Sequence, residues 1–214
     1  MPPARGAAVF DAELRRFIDP PLDRVGGVLE RLGIAPNWIT IAGFFVGIGC
    51  VPAIAFELYW LALACLVLNR LADGLDGAVA RRGHTTDFGG YLDIVLDFIF
   101  YAAFAFSFGL VRPEFAVPAG ALMLSFFGTG SSFLAYAVIA EKRGINADRP
   151  AGKSFFYSRG IAEGGETFAF FAVCLLWPGA FVGLAYGFSV LCWATTAMRI
   201  AQARRAFRPD RVGR

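Results

Sequence analysis

Four aspartates lie in and between strongly apolar stretches, at spacings that suit metal chemistry. They are Asp73, Asp76, Asp93 and Asp97. An acid inside a membrane helix costs roughly 2.5–3.5 kcal/mol on insertion scales, so such a residue indicates a functional site. The i,i+3 spacing of the first pair and the i,i+4 spacing of the second each place two carboxylates on one helix face. The four acids therefore predict a cage for hard divalent cations, which points to phosphoryl chemistry on a lipid-borne substrate.

The turn between the two acid-bearing segments is short, so we expect two antiparallel helices that face each other. Their carboxylates would then converge near the helix ends and would repel one another in the absence of cations. Mg²⁺ prefers a few carboxylates together with substrate phosphate oxygens, and Mn²⁺ suits the same oxygen ligands. The expected cofactors are two divalent cations, Mg²⁺ or Mn²⁺.

Small and basic residues flank the acids. Gly77 and Ala80 would let a planar base or a phosphate approach the backbone closely. Arg81 can bind a diphosphate through its forked guanidinium. Gly89 lies one turn before Asp93, where it could serve either close helix packing or substrate approach.

The composition places this chemistry in a membrane. The chain has 214 residues, of which 57% are hydrophobic and 23 are Phe, and its mean hydropathy is +0.58. Soluble domains lie nearer ~45–50% apolar on a count that also includes Gly. The four cysteines lie singly in apolar runs and form no C-x-x-C pair, so we interpret them as packing residues. An integral membrane protein is the first interpretation.

Three uncharged runs are long enough to cross a bilayer. They cover residues 38–56, 115–140 and 167–198. Trp177-Pro178-Gly179 interrupts the third run with a turn signal, which divides it into two helices. Two further apolar segments reach bilayer length only if they include the acid pairs. The pattern predicts six spans: 38–56, 58–81, 89–111, 116–140, 161–177 and 180–202.

The placement of positive charge supports this count. Six crossings put both termini and the second and fourth loops on one side, together with nineteen of the 20 Lys and Arg residues. Only Arg112 falls on the other side. This asymmetry is typical of the positive-inside rule, so we expect cytoplasmic termini and an acidic site that opens to the cytoplasm. A basic face also favours anionic headgroups and phosphates.

The chain before the first span is amphipathic. Apolar residues recur at helical spacing over residues 10–32 among charged ones, and Pro20-Pro21 separates two short segments. This pattern favours an interfacial helix, with a solvated cytoplasmic leader as the alternative. The predicted fold is an all-α integral membrane protein with an amphipathic segment at 1–34, a six-helix membrane domain at 35–205 and a basic cytoplasmic tail at 206–214.

The acid constellation resembles the signature of the CDP-alcohol phosphotransferase (CDP-alcohol phosphatidyltransferase) family, D-x2-D-G-x2-A-R-x7/8-G-x3-D-x3-D. Every fixed position is matched, with seven residues between Arg81 and Gly89. Pro36-Asn37-x-x-Thr40 also looks like the family's entry into its first span. The resemblance covers about residues 30 to 200.

The resemblance implies a specific reaction. Family members displace CMP from a CDP-linked donor, commonly CDP-diacylglycerol, with the hydroxyl of an acceptor alcohol, and so make a phosphodiester lipid in phospholipid biosynthesis. Carried over, the first three acids bind metal, and Asp97 shares a ligand role and acts as the general base. The implied donor-binding residues are Asp73, Gly77, Ala80, Arg81 and Gly89. The family is commonly homodimeric, and we expect a bacterial cytoplasmic (inner) membrane location.

The sequence leaves several acceptor alcohols possible. In some family members, basic residues before the fifth span bind an acceptor phosphate; here Lys153 and Arg159 could do so, or could anchor the helix to headgroups. Glu163 and Glu166 are i,i+3 in an apolar helix and could pair with arginines or select a cationic or polyol acceptor. Glycerol 3-phosphate, serine, inositol phosphate, choline and another phospholipid headgroup all fit.

Two other function classes compete with a transferase. A cation-coupled small membrane transporter also places acids inside helices, but no internal repeat is visible in the sequence. The second alternative is a structural membrane protein that has the family fold but no activity. The presence of all four signature acids argues against it. Release of CMP distinguishes the transferase from both. Nucleic acid is not an expected partner, and Gly43-x-x-x-Gly47 favours close packing within the chain over dimerisation.

Overall fold

The computed structural model describes residues 21–145 and 164–207, apart from the side chains of residues 83 and 84. Within these ranges the chain is helical and contains no strand, which confirms the all-α prediction for them. The helices are α1 (residues 21–31), α2 (Pro36–Ile48), α3 (Cys50–Ala55), α4 (Tyr59–Val79), α5 (Asp87–Gly109), α6 (Pro113–Lys142), α7 (Gly164–Leu176) and α8 (Phe181–Ala206). A π-helical turn, Ala80–His84, follows α4, and a 3₁₀ turn, Pro178–Ala180, precedes α8.

Four helical stretches of the described chain are long and apolar enough to cross a membrane, as expected of an integral membrane protein. They are Pro36–Ala55, Asp87–Gly109, Pro113–Lys142 and Pro178–Ala206. The first of them contains both α2 and α3, because the helix is interrupted at Gly49. The other two predicted spans, 58–81 and 161–177, coincide with α4, which carries three charged residues, and with α7, whose described part has 13 residues.

The chain divides into two compact units, residues 1–107 and 108–214. In the first unit, α2 and α4 pack closely at the glycines of α2. A Cβ built at Gly47 would lie 2.9 Å from Nδ2 of Asn69, and one built at Gly43 would overlap the side chain of Ala72. These contacts confirm the prediction that Gly43 and Gly47 pack within the chain.

Helix α1 is attached to the end of the acid-bearing helix α4. It ends at Gly33, whose φ of 72° allows the N–H groups of Gly33 and Ile34 to reach carbonyl oxygens of the last turn. A Cβ built at Gly26 would lie 3.1 Å from Cβ of Ala78 in α4. Residues 21–31 are helical, as the amphipathic pattern predicts, and residues 10–20 of that pattern lie outside the described ranges.

The second unit has an aromatic core. The rings of Phe108 and Phe181 stack with centroids 4.2 Å apart, and those of Phe170 and Phe188 with centroids 4.1 Å apart. Such pairs contribute about 0.5–1.5 kcal/mol beyond the area they bury. Helices α6 and α8 of this unit pack on each other.

Candidate metal and phosphate site

Helices α4 and α5 bring three of the predicted acids together. One carboxylate oxygen from each of Asp73, Asp76 and Asp93 lies within 4.8 Å of the other two. Mg²⁺ holds its oxygen ligands at about 2.0–2.1 Å, so ligands on one ion lie at most about 4.2 Å apart. Three carboxylate oxygens grouped near this range fit a hard divalent ion.

Asp97 lies one turn further along α5 than Asp93 and lines a small cavity next to the cluster. The residues that line this cavity are Thr40, Phe44, Asn69, Asp73, Asp93, Leu96, Asp97 and Phe100. Asp97 is outside the three-oxygen cluster but shares the cavity with two of its members. The four predicted acids therefore lie close together, three in the cluster and Asp97 on the wall of the adjoining cavity.

Thr40 of α2 fixes the orientation of Asp76. Its hydroxyl lies 2.5 Å from Oδ2 of Asp76 and 3.2 Å from the carbonyl oxygen of Pro36. The hydroxyl has one hydrogen, and the ionised carboxylate is the stronger acceptor. Thr40 is 7% exposed and Asp76 is 9% exposed, so water competes little for this bond. The bond therefore restricts how the Asp76 carboxylate can turn within the cluster.

Arg70 forms an ion pair with Asp73. Its Nη1 lies 3.0 Å from Oδ2 of Asp73, and its side chain is 48% exposed. The positive charge offsets part of the repulsion among the clustered acids. From the sequence, Arg70 could help hold nucleotide or belong to the basic face, and neither interpretation included this ion pair, although the i,i+3 spacing on one helix was a signal for it.

The guanidinium of Arg81 folds back over Gly77. Its Nη1 lies 3.3 Å from the position of a Cβ at Gly77, and its Nη2 lies 3.4 Å from Oδ1 of Asp23 in α1. Both charged side chains are at least half exposed. The missing side chain at Gly77 therefore makes room for a guanidinium at the surface, where an exposed pair with Asp23 is worth little free energy.

The neighbouring Arg82 attaches α1 to the π-helical turn. It donates a hydrogen bond of 2.9 Å to the carbonyl oxygen of Asp23, and its Nη1 lies 3.3 Å from Oε2 of Glu30. Single π-helical turns are rare and are frequent at functional sites. Here the turn carries two consecutive arginines that both contact α1.

The contacts of Gly89 favour close packing, which was one of the two open interpretations for this residue. A Cβ at Gly89 would lie 2.9 Å from Oδ1 of Asn37 and 3.1 Å from Oγ1 of Thr86. Thr86 caps helix α5, because its Oγ1 accepts a 3.0 Å hydrogen bond from the N–H of Gly89. The motif Pro36-Asn37-x-x-Thr40 thus reaches both acid-bearing helices, through Asn37 on α5 and Thr40 on α4.

Of the predicted acceptor residues, Glu166 lies exposed in the first turn of α7. Lys153, Arg159 and Glu163 lie outside the described residues. The second unit contains a buried cation that sequence reasoning counted only as a cytoplasmic charge. Arg199 of α8 is 8% exposed and donates a 2.8 Å hydrogen bond to the carbonyl oxygen of Thr129 in α6. An arginine inside a predicted span was the signal for it.

Apolar helices of spanning length and a cluster of acids that fits a divalent cation define an integral membrane protein with an acidic, cation-suited site. Comparison with known proteins is more specific. A sequence model described as CDP-alcohol phosphatidyltransferase matches residues 33–201, so the chain belongs to this family. The family assignment made from the signature residues is confirmed.

Two curated relatives cover almost the whole chain. The inner membrane protein YnjF of Escherichia coli K12 is 46% identical over 193 residues, which are 90% of this chain and 94% of that protein. An archaetidylinositol phosphate synthase of Pyrococcus horikoshii is 28% identical over 200 residues, which are 91% of this chain and 96% of that protein.

Solved structures share the fold. The phosphatidylinositol phosphate synthase PgsA1 of Mycobacterium tuberculosis with CDP-DAG bound has a TM-score of 0.62 at 20% identity, over 90% of this chain and 97% of that one. The same enzyme in complex with manganese and citrate has a TM-score of 0.62 at 21% identity, over 90% of this chain and 92% of that one.

Proposed function

We propose that the protein is an integral membrane transferase that displaces CMP from a CDP-linked donor, CDP-diacylglycerol, with the hydroxyl of an acceptor alcohol. The observation that carries the proposal is the cluster of oxygens from Asp73, Asp76 and Asp93 within 4.8 Å of one another, in a chain that belongs to this family. The acceptor oxygen forms a bond to the lipid-bearing phosphorus. The bond from that phosphorus to the bridging oxygen breaks, and CMP leaves with that oxygen.

The cofactors in this proposal are two divalent cations, Mg²⁺ or Mn²⁺, held by Asp73, Asp76 and Asp93 with a share from Asp97. Bound there, they would stabilise negative charge on the attacking and leaving oxygens. The acidic cluster supports this assignment, as does the manganese in the structure of the mycobacterial enzyme. Thr40 keeps Asp76 oriented for this role through its 2.5 Å hydrogen bond.

Asp97 is the proposed general base, which takes the proton of the acceptor hydroxyl. It lines the cavity together with Asp73 and Asp93, and a base must lie within hydrogen-bond reach of the proton it removes. The cavity wall beside it also includes the apolar rings of Phe44 and Phe100.

The CDP part of the donor is bound by Asp73, Gly77, Ala80, Arg81 and Gly89 in this proposal. Arg81 can release Asp23 and pair with the diphosphate, because an exposed ion pair at 3.4 Å is weak and a bidentate guanidinium–phosphate contact is strong. Gly89 contributes by letting α5 approach Asn37.

The proposed acceptor is a phosphorylated polyol of the inositol phosphate class. The names of the archaeal relative and of the mycobacterial enzyme support this choice among the open acceptors. Lys153 and Arg159 are the proposed phosphate ligands, and Glu163 and Glu166 are the proposed partners of polyol hydroxyls.

The proposed topology has six spans: the four apolar stretches together with α4 and α7. Both termini and the acidic site lie on the cytoplasmic side. Residues 1–34 form the interfacial segment, residues 35–205 form the catalytic membrane domain, and residues 206–214 form a basic tail. The charge asymmetry of the sequence supports this arrangement. We propose that the protein acts as a homodimer in a bacterial cytoplasmic membrane.

The test is CMP release by purified protein in detergent, with CDP-diacylglycerol, Mg²⁺ or Mn²⁺, and candidate alcohols added one at a time. We expect CMP release that depends on inositol phosphate, and Asp73→Asn should lose metal-dependent donor binding. Release with a different alcohol would replace the proposed acceptor. Folded, metal-bound protein that releases no CMP with any acceptor would reject the transferase with this donor and favour transport.

A further inference from the structure

Asn69 is a buried amide that the proposed reaction does not use. It is 4% exposed and lies one helical turn before Asp73 on α4. Its Nδ2 donates a 3.1 Å hydrogen bond to the carbonyl oxygen of Gly43. Because a carbonyl oxygen only accepts, this bond fixes which end of the amide is nitrogen. Its Oδ1 has no hydrogen-bond partner among the described residues.

Asn69 lines the cavity of the acidic site together with Asp73, Asp93 and Asp97. The polar groups of this lining are acceptors. The carboxylates accept, the amide oxygen accepts, and the hydroxyl hydrogen of Thr40 is directed to Asp76. A cavity with such a lining suits a cation and the hydrogens of its bound water.

The position of Asn69 specifies how its oxygen would reach a cation. Residues i and i+4 lie on one helix face, so Oδ1 of Asn69 lies on the same side of α4 as the carboxylate of Asp73. Gly43 holds the amide nitrogen, and a Cβ position at Gly47 lies 2.9 Å from it, so the nitrogen is directed towards α2 and the oxygen is the group left for the cavity. Four residues rise about 6 Å along a helix, so the two side chains are neighbours and a hydrated cation at Asp73 would place its waters near Asn69.

We propose that Asn69 is a positioning residue of the cation site, whose Oδ1 accepts a hydrogen bond from a water of the hydration shell of a divalent cation held by Asp73. Mg²⁺ usually keeps several of its waters in protein sites. Groups that bind the ligands of a metal typically change its affinity 10–100-fold when they are mutated. The inference rests on the proposed function only in requiring a cation at the acids.

The proposal gives the close packing of α2 and α4 a role in cation binding. Gly43 accepts the bond that holds the amide, and Gly47 makes room for its nitrogen, with a Cβ position 2.9 Å away. Helix α2 therefore contributes to the site in two ways, through Thr40 on Asp76 and through these glycines on Asn69.

The experiment is an electron paramagnetic resonance titration of Mn²⁺ alone into the full-length chain in detergent, without nucleotide. It compares the native protein with Asn69→Leu and Asn69→Asp. Both variants lose the donor to Gly43, but only Asn69→Asp keeps an acceptor oxygen. We expect Asn69→Leu to bind Mn²⁺ about 10–100-fold more weakly, and Asn69→Asp to bind it at least as tightly as the native protein.

Native Mn²⁺ affinity in Asn69→Leu would overturn the proposal, and so would an equal loss in both variants, since that would assign Asn69 only to the bond with Gly43. Thermal unfolding without metal checks that the variants are folded, and Asn69→Ala replaces Asn69→Leu if the latter does not fold. A native protein that binds no Mn²⁺ also overturns the proposal. Native Mn²⁺ binding without any CMP release would reject the transferase and leave the role of Asn69 standing.

Discussion

The buried polar side chains beside the acidic site in the first unit bond differently from buried hydroxyls of the second unit. In the first unit, Thr40 and Asn69 of neighbouring helices bond across the helix boundary, to Asp76 and to the backbone of Gly43. In the second unit, the buried hydroxyls of Thr129, Ser189 and Thr196 bond to carbonyl oxygens three or four residues earlier in their own helices.

This difference distinguishes polar groups that orient a neighbouring side chain from polar groups whose hydrogen bonds are satisfied within their own helix. A hydroxyl bonded to its own helix satisfies itself and places no constraint on a neighbouring helix. A bond between helices fixes the angle of a side chain as well as the distance between the two helices. In the second unit, Arg199 makes such a bond with Thr129, which distinguishes it from the hydroxyls around it.

The strongest test of the comparison is Asp97→Asn in the first unit. If Asp97 is the base, turnover should fall by about 10²–10⁴-fold, while donor binding stays measurable because the other acids are intact. The rate of CMP release and the affinity for CDP-diacylglycerol in the same preparation check this. Ser189→Ala is the control from the second unit and should retain turnover. A near-normal rate in Asp97→Asn would remove the general-base assignment.

A matched pair of threonines tests the bonds themselves. Thr40 and Thr196 are both 7% exposed, and they differ in whether the hydroxyl bonds to another helix or to its own. Thr40→Val should weaken Mn²⁺ binding roughly tenfold, at the low end of the effect of such supporting residues. Thr196→Val should leave it unchanged. Equal Mn²⁺ affinities in the two variants would show that the bond between helices does not orient Asp76.

Two adjacent glycines, Gly89 and Gly90, test the close packing of α2 against α5, for which the expected effect is the smallest. A Cβ at Gly89 meets Asn37 and Thr86, whereas one at Gly90 meets nothing within 4 Å. Gly89→Ala should destabilise the protein by about 1–3 kcal/mol through overpacking, and Gly90→Ala should stabilise it by up to about 1 kcal/mol through helix propensity. Thermal unfolding in detergent measures both. The same sign of shift in the two variants would contradict the close approach of α2 to Gly89.

The sequence predicted the acid cluster because each pair of acids lies on a single helix. Spacing on one helix determines which side chains share a face, and the short turn between α4 and α5 brings the two faces together. The spacing of residues on one helix contains no information on which other helix packs against the acids. The bonds from Thr40 to Asp76 and from Asn69 to Gly43 join residues 36 and 26 positions apart, and no periodicity connects them.

Hydropathy located the apolar segments better than it located the ends of the helices. Residues 38–56 are uncharged throughout, so their hydropathy predicts one continuous span, yet the helix is interrupted at Gly49. Pro52 was a signal for that interruption, because proline has no N–H to bond to the carbonyl oxygen of Ile48 in the preceding turn. Arg199 was missed for a related reason, since a charge near a predicted helix end is assigned to the membrane surface.

The attachment of α1 has a consequence for the order in which the protein is assembled during synthesis. Arg82 follows its partners Glu30 and Asp23 by 52 and 59 residues. At about 5–20 residues per second, roughly 3–12 s pass between the emergence of α1 from the ribosome and that of the arginine that binds it. Helix α1 therefore cannot dock on the π-helical turn until α2, α3 and α4 have been synthesised, and this docking is a late step in the folding of the first unit.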